Sequence, residues 1–386
     1  MQLSKSGLPA VCLFLATAVA ACGGSSANPS GAATSSSPAP ASASASPSAA
    51  APSASAKPAG STQASAAAVS ASAKPAASAS AAAGGATKLE MSYSEIYEGQ
   101  IPVWVAYEAG LFKHNGLDVN MTYIASAQAI SALVAGQTQI AQGGGSEALS
   151  AASGGAPLTV IGNVVPVYPY ILEVTSDIKT ISDLKGKKVG VSNIGSASDI
   201  ATRVALNKVG LVPDKDVSII TVGSSVNRTA ALQSGAIQGG LAQPPDTYIL
   251  EAQGLHPLID MTQLKAPTVN NGIVAKADWI KANHDTTQKY VDSVVQGIAK
   301  MKADHAFAAN VLKQYMKLDD LSVATKTVDW ASANLFPNVP TTKPDDFLDA
   351  VTVLSEKNDK VKSFDLAKLI DNSFVDNAAS RGLAAK

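Results

Sequence analysis

From residue 88 onward, strand-like runs alternate with helix-like segments, and this alternation restricts the chain to an α/β architecture with mainly parallel sheets. Strands are expected over 88–93, 117–124, 138–142, 158–165, 189–191, 217–222 and 237–242. Between them, Pro102 opens a helix over 103–112, Gly136 closes one over 126–135, and a third covers 146–153. A short helical turn over 181–184 precedes a helix that Ser196 caps and that runs to 209, with Asp199 placed as in a capping box. Another helix covers 225–234 and stops at Gly235. Beyond about 278 the pattern is helical to the end, with Val291, Val294, Val295 and Ile298 spaced as one packing face.

The alternation contains an echo. Ser126, Ala132, Leu133, Gly136 and Gln139 recur 99 residues later as Ser225, Ala231, Leu232, Gly235 and Gln238. In both places a capped helix leads into a strand, and a loop rich in Gly or Pro follows. Two similar lobes explain this better than the general likeness of helix-to-strand units.

The N-terminal quarter obeys different chemistry. Residues 23–87 are almost wholly Ala, Ser, Pro and Gly, without acids or aromatics, so they cannot bury enough apolar surface to offset ordering. A disordered tether is expected there, spanning roughly 45 Å r.m.s.. Before it, Lys5 and the apolar run 8–21 read as a signal peptide over 1–21, too short for a span of about 20 apolar residues. The ending Val19-Ala20-Ala21-Cys22 resembles a lipobox, which would acylate Cys22 and anchor the chain to a membrane; an ordinary secretory signal with an incidental cysteine is the alternative. Cys12 falls inside the cleaved segment, so no thiol pair remains for a disulfide or metal site. A formal net charge of −1, with Arg203, Arg228 and Arg381 as the arginines, argues against a nucleic-acid partner.

Open α/β sheets bind ligands beyond the carboxyl ends of their strands, which selects five loops. The first is Tyr97, Glu98, Gly99 and Gln100, before the Pro102 helix. The second, Gln142 to Glu147, contains Gly144, Gly145 and Ser146. The third is Gly195, Ser196, Ala197 and Ser198; the fourth is Gln243, Pro244, Pro245 and Asp246; the fifth holds Tyr168 and Tyr170 between prolines. The glycine run is a ligand-approach loop or simply a flexible turn, and Ser196 caps its helix in either case. Glu147 suits a helix start without any ligand. Arg228 is a candidate contact or a surface-paired helix residue. His114, His256, His284 and His305 are scattered without zinc spacing, and neither a P-loop nor a Gly-x-Ser-x-Gly elbow occurs. No metal, cofactor or catalytic group is expected, and no pair of carboxylates stands out. Binding is favoured over turnover.

The stretches IPVWVAYEAGLFKHNGLDVNM, ALVAGQTQIAQGGGSEAL, ISDLKGKKVGVSNIGSASDIATRVAL and RTAALQSGAIQGGLAQPPDTYILEAQG together resemble the substrate-binding proteins of ABC importers. The resemblance is to the branch handling alkanesulfonates, taurine, nitrate and thiamine-pyrimidine precursors. It implies a type II periplasmic-binding-protein fold, two lobes closing like a hinged trap. By resemblance, 88–174 with 275–386 form the first lobe and 175–274 the second. A monomer is implied that captures a small organic molecule or oxyanion between the lobes and delivers it to a permease and its ATPase. For an oxyanion, the helix starts at Ser146 and Ser196 are the implied cradle. A ligand-sensing module for a membrane receptor, or a tethered enzyme on the same fold, are the competing expectations.

Overall fold

The computed structural model describes residues 86–385 except Ser126 and Lys265. The expected signal peptide, Cys22, the tether up to residue 85 and Ser126 lie outside the described residues.

β1 (Thr87–Tyr93) passes through a 3₁₀ turn at Glu98–Gln100 into α1 (Ile101–Glu108). Pro102 occupies the first turn of α1, where its missing N–H leaves nothing unsatisfied. The single helix expected over 103–112 is two: Gly110 takes φ +69°, which ends α1 and starts α2 (Leu111–His114). β2 (Leu117–Tyr123), α3 (Ala127–Val134), β3 (Ile140–Gly143), α4 (Gly145–Ser153) and β4 (Leu158–Val167) follow. Then come β5 (Ile171–Val174), β6 (Lys188–Val191), α5 (Ala197–Lys208), β7 (Ser218–Thr221), α6 (Ser225–Gln233), β8 (Gly239–Ala242), α7 (Asp246–Ala252), β9 (His256–Asp260) and β10 (Pro267–Lys276). Helices dominate thereafter, chief among them α8 (Ala277–Ala282), α9 (His284–Ala303), α10 (His305–Met316), α11 (Leu321–Asn334) and α12 (Leu348–Ser355).

The strands form two five-stranded sheets, ordered β2-β1-β3-β10-β4 and β7-β6-β8-β5-β9. Each has two parallel and two antiparallel pairings, which corrects the expectation of mainly parallel sheets. The antiparallel pairings come from β5 and β10, the strands made just after the chain crosses from one half to the other. β10 escaped the sequence reading because its segment, PTVNNGIVAK, interrupts its apolar residues with two asparagines and a glycine. Ile171–Val174, expected in the first lobe, is hydrogen-bonded into the second sheet.

A core of Leu89, Trp104, Phe112, Tyr290, Val294 and Ile298 joins the first sheet to α1 and α9. Burying each such side chain contributes about 1.5–3 kcal/mol. The two helices approach so closely that a Cβ on Gly297 would sit 2.2 Å from the Pro102 carbonyl oxygen. A second core, including Leu172, Val189, Val191 and Ala205, holds α5 to the second sheet.

The echo survives in detail. Gln139 donates its N–H to the Glu90 carbonyl of β1 at 2.9 Å, and its side-chain oxygen accepts from Glu90 N–H at 2.8 Å. Gln238 does the same to Lys188 of β6, at 2.9 and 3.3 Å. Gly136 and Gly235 both adopt positive φ, +78° and +72°. Ile140 and Ala141 of β3 pair with β1 as Gly239 and Gly240 of β8 pair with β6. The 99-residue correspondence therefore continues past Gln139, and it reaches Glu147 and Asp246.

Candidate functional site

Four of the five expected loops follow the C-terminal ends of β1, β3, β6 and β8, where parallel strands deliver them to one edge of their sheets. An inner pocket is lined by Ser94, Glu95, Tyr97, Gly144 and Glu147 from the first half and by Ser192, Ser196, Ala197 and Ser198 from the second, with Asn270 of β10. Its free volume is about 10 Å³, roughly one water. An outer groove of about 280 Å³ lies between α3, α4, the loop Asn193–Ser196 and Leu354. Glu147 and Ser196 line both spaces and so form the partition between them.

The partition is electrostatic. Glu147 stands in the first turn of α4, where Ser146 donates its hydroxyl to Oε2 at 2.7 Å. Burial raises the Glu147 carboxyl above its ordinary pKa, while Ser146 and the main-chain N–H groups of Glu147 and Ala197 favour the ionised form. Ala197 is the first residue of α5, so a carboxylate of one half faces the positive helix end of the other. Gly144 permits this approach: a Cβ there would lie 2.2 Å from Glu147 Oε2 and 3.2 Å from the Ala197 methyl.

The start of α5 is held from within. Ser196 Oγ accepts from the Asp199 N–H at 3.4 Å and lies 3.0 Å from Ser198 Oγ, which accepts from the Ser192 N–H at 2.9 Å. The expected capping box is only half formed, because Asp199 accepts instead from the Gly195 N–H at 2.7 Å and from Arg203 Nε at 2.9 Å. Opposite, the Tyr97 hydroxyl donates to Asn270 Oδ1 at 3.0 Å, and Asn270 Nδ2 donates to the Tyr170 hydroxyl at 2.9 Å. This chain ties the β1 loop to the segment between β4 and β5.

The remaining expected residues scatter. Gly195 lines the outer groove. Gly145 packs against Val269 and Phe347, and Ser146 reaches only the small space beside Phe347. Tyr168 is buried and donates to Asp349 at 3.0 Å, away from both pockets, whereas its neighbour Tyr170 joins the Asn270 chain. Gln100 and Gln243 are buried with neither amide atom partnered among the described residues, and they line neither space. Gln243 precedes Pro244 and its cis bond to Pro245. Asp246 accepts from Thr229 Oγ1 at 2.8 Å, and burial raises its carboxyl.

Sequence reasoning missed Glu95 and Asn270, and it placed Glu98 in the first loop without giving it a role. Glu95 is half-buried, and burial with the nearby Glu147 and Asp246 carboxyls raises its pKa to about 7, against the opposing pull of Arg228. Glu98 is fully buried, with neither oxygen hydrogen-bonded among the described residues, and burial raises it well above the carboxylate range. Arg228 is buried too; its Nε donates to the Leu241 carbonyl and its Nη1 to Ser192 Oγ at 3.1 Å. Continuing the echo from Gln139 and Gln238 would have exposed Glu147 and Asp246 as a matched pair of acids. Nothing in the local sequence marked Asn270.

A family model described as NMT1/THI5 like matches residues 99–307, more than half of the chain. A protein of Brucella abortus (strain 2308) named as a binding protein is 24% identical over 241 residues, 62% of this chain and 74% of its own length. The nitrate-binding protein of Synechocystis PCC 6803 superposes with a TM-score of 0.64 at 16% identity, covering 77% of this chain and 89% of that one. The alkanesulfonate-binding protein of Xanthomonas axonopodis pv. citri, bound to MOPS, gives 0.59 at 19% identity, covering 77% and 99%. The fold is that of periplasmic binding proteins.

Proposed function

The chain belongs to the NMT1/THI5 like family, and from that premise we propose that it is the extracytoplasmic ligand-binding component of an ABC importer. The observation that carries the reading is the inner pocket, lined by loops of both sheets and by Asn270 of β10. In this reading the sheets are the cores of two lobes, and the connections between β4 and β5 and between β9 and β10 are the hinge. A ligand larger than water enters only when Glu147 separates from the start of α5, and it replaces that contact on closure. The ligand is a small molecule held and released without turnover, of the size of those for which the sulfonate- and nitrate-binding neighbours are named. Cys22 is the lipid anchor and 23–86 the tether that keeps the trap beside its permease.

A melting screen of the mature chain against sulfonates, oxyanions, pyrimidines and aromatic acids tests the reading. Stabilisation follows RT ln(1 + [L]/Kd), about 4 kcal/mol at a thousandfold excess over Kd, so a micromolar ligand at millimolar concentration shifts the melt plainly. Conversion of a stabilising compound to product would favour the tethered-enzyme alternative. For the anchor, mass spectrometry of the mature N-terminus should find an acylated Cys22; an unmodified terminus downstream of it would remove that part.

A further inference from the structure

Helix α12 touches both halves of the molecule, α4 in the first and α5 in the second. It is built into the first. Phe347, ending the 3₁₀ turn Pro344–Phe347, and Ala350 of α12 are buried in one core with Ile130, Leu133 and Leu149. Asp346 accepts from Asn163 Nδ2 at 3.2 Å, and a Cβ on Gly145 would meet Phe347 Cε1 at 2.9 Å. Its other face lies against the second half. Phe347 and Ala350 enclose, with Ala197 and Ile200 of α5, a space of only about 10 Å³. One turn on, Val353 and Leu354 line a space of about 40 Å³ with Ile194, Gly195 and Arg203. A Cβ on Gly195 would lie 3.3 Å from Leu354 Cδ2. The third link is polar: Tyr168, buried in the second core, donates its hydroxyl to Asp349 of α12 at 3.0 Å.

Ile200 shows what this contact is for. It is 2% exposed, yet the second core takes Ala201, Ala205 and Leu206 from the same helix and leaves Ile200 out. Its burial comes from the other half, beside Phe347 and Ala350. Building on the reading above, we propose that α12 is a latch: it travels with the first lobe, grips α5 when the cleft shuts and releases Ala197 and Ile200 when it opens. No residue of α12 lines the inner pocket among the described residues, so the grip is the same whichever ligand is enclosed. Part of the closing free energy is then built into the chain. A larger closed fraction raises the apparent affinity for every ligand by one common factor, so the latch sets affinity and the pocket sets selectivity.

The test is a distance measurement by pulsed electron paramagnetic resonance between spin labels at Val134→Cys in α3 and Val226→Cys in α6, both exposed positions. The mature chain carries Cys22→Ser, which leaves no other thiol to label. A short separation should dominate in this parent. Ile200→Ala should raise the ratio of a longer separation to the short one about tenfold, through the apolar area lost from the contact. Ile200→Glu is solvated when α5 is free and buried when it is held, so it should raise that ratio about a hundredfold or more in a folded chain. Leu354→Ala should act in the same direction and more weakly. An unchanged short separation in Ile200→Glu overturns the latch. So does loss of the fold in Ile200→Glu while Ile200→Ala and Leu354→Ala keep the parent separation, because the contact is then static. Either result leaves the importer reading standing, since the melting screen tests ligand binding without reference to α12. A screen with no stabilising compound, beside a chain that opens on Ile200→Glu, removes the importer reading and keeps the latch.

Discussion

Val274 of β10 and Glu173 of β5 occupy equivalent places in the two sheets, since Val274 pairs with Ala141 and Glu173 with that residue's counterpart, Gly240. Ala129 of α3 and Arg228 of α6 are equivalent by the same 99-residue shift. In the first half both positions hold small or apolar residues that pack. In the second half both hold buried ionisable groups. The frame was duplicated in pattern while its interior diverged, and the divergence required room: Gly240 lies where a Cβ would meet Arg228 Cγ at 3.1 Å. Where the first half has Ala129 and Ala141, the second has Arg228 and Gly240.

Restoring the first-half pair in the second half should have the largest effect. Arg228→Ala strands the Leu241 carbonyl and Ser192 Oγ in a buried site, and should cost about 3 kcal/mol in urea denaturation. Gly240→Ala alone should cost about 1–2 kcal/mol, because Arg228, Leu232 and Ile237 all crowd the new methyl at 3.1–3.3 Å. The double variant should be better than the sum by roughly 1 kcal/mol, the methyl now filling vacated space. Strict additivity would show that the two positions are not the coupled pair the comparison makes them.

Glu173 sharpens the contrast through pH. Burial, with Glu251 second, raises its carboxyl to about 8, against 4.5 for an ordinary glutamate. A group with a raised folded pKa supports the fold fully below the unfolded value, and that support is lost as pH climbs from there through the folded one. Glu173→Gln should therefore be near neutral at pH 4 and gain on the natural chain between about pH 5 and 8. By pH 9 the gain should be of order 2 kcal/mol, allowing for relaxation around the charge. Equal urea midpoints for the two proteins at pH 4 and pH 9, or a variant that loses ground, would refute a buried ionising glutamate there.

The comparison also separates what was legible from what was not. Strands β1, β2, β3, β4, β6, β7 and β8 and helices α1, α3, α4, α5 and α6 announce themselves, because local periodicity and terminal signals such as Pro102, Gly136, Ser196 and Gly235 operate within a dozen residues. Strands β5, β9 and β10 do not. Their burial is decided by partners far along the chain, so their sequences need no clean pattern of their own. Loops at strand ends could be selected, and Tyr97, Gly144, Ser196, Ala197 and Ser198 are together at the inner pocket. Which neighbour faces inward could not: Tyr170 rather than Tyr168 meets Asn270, a choice made by the contact with β10. Glu95 and Glu98 were obscured because charged loop residues are ordinarily solvated, and only tertiary closure buries them.

The smallest expected effects lie at the junctions that the halves share most closely. Gln139 accepts from the Glu90 N–H at 2.8 Å, while Gln238 accepts from the Lys188 N–H at 3.3 Å and donates to the Gly235 carbonyl at 3.0 Å. One short bond in the first half stands against two weaker ones in the second, all partly solvated. Each substitution to Ala should then cost about 0.5–1 kcal/mol, with the two values within a few tenths of each other. The pair should also be additive, because the junctions belong to different sheets and share no partner. A full loss at Gln139 with none at Gln238 would mean that the second junction repeats the geometry of the first without its energetics. The likeness between the halves would then rest on the strand order alone.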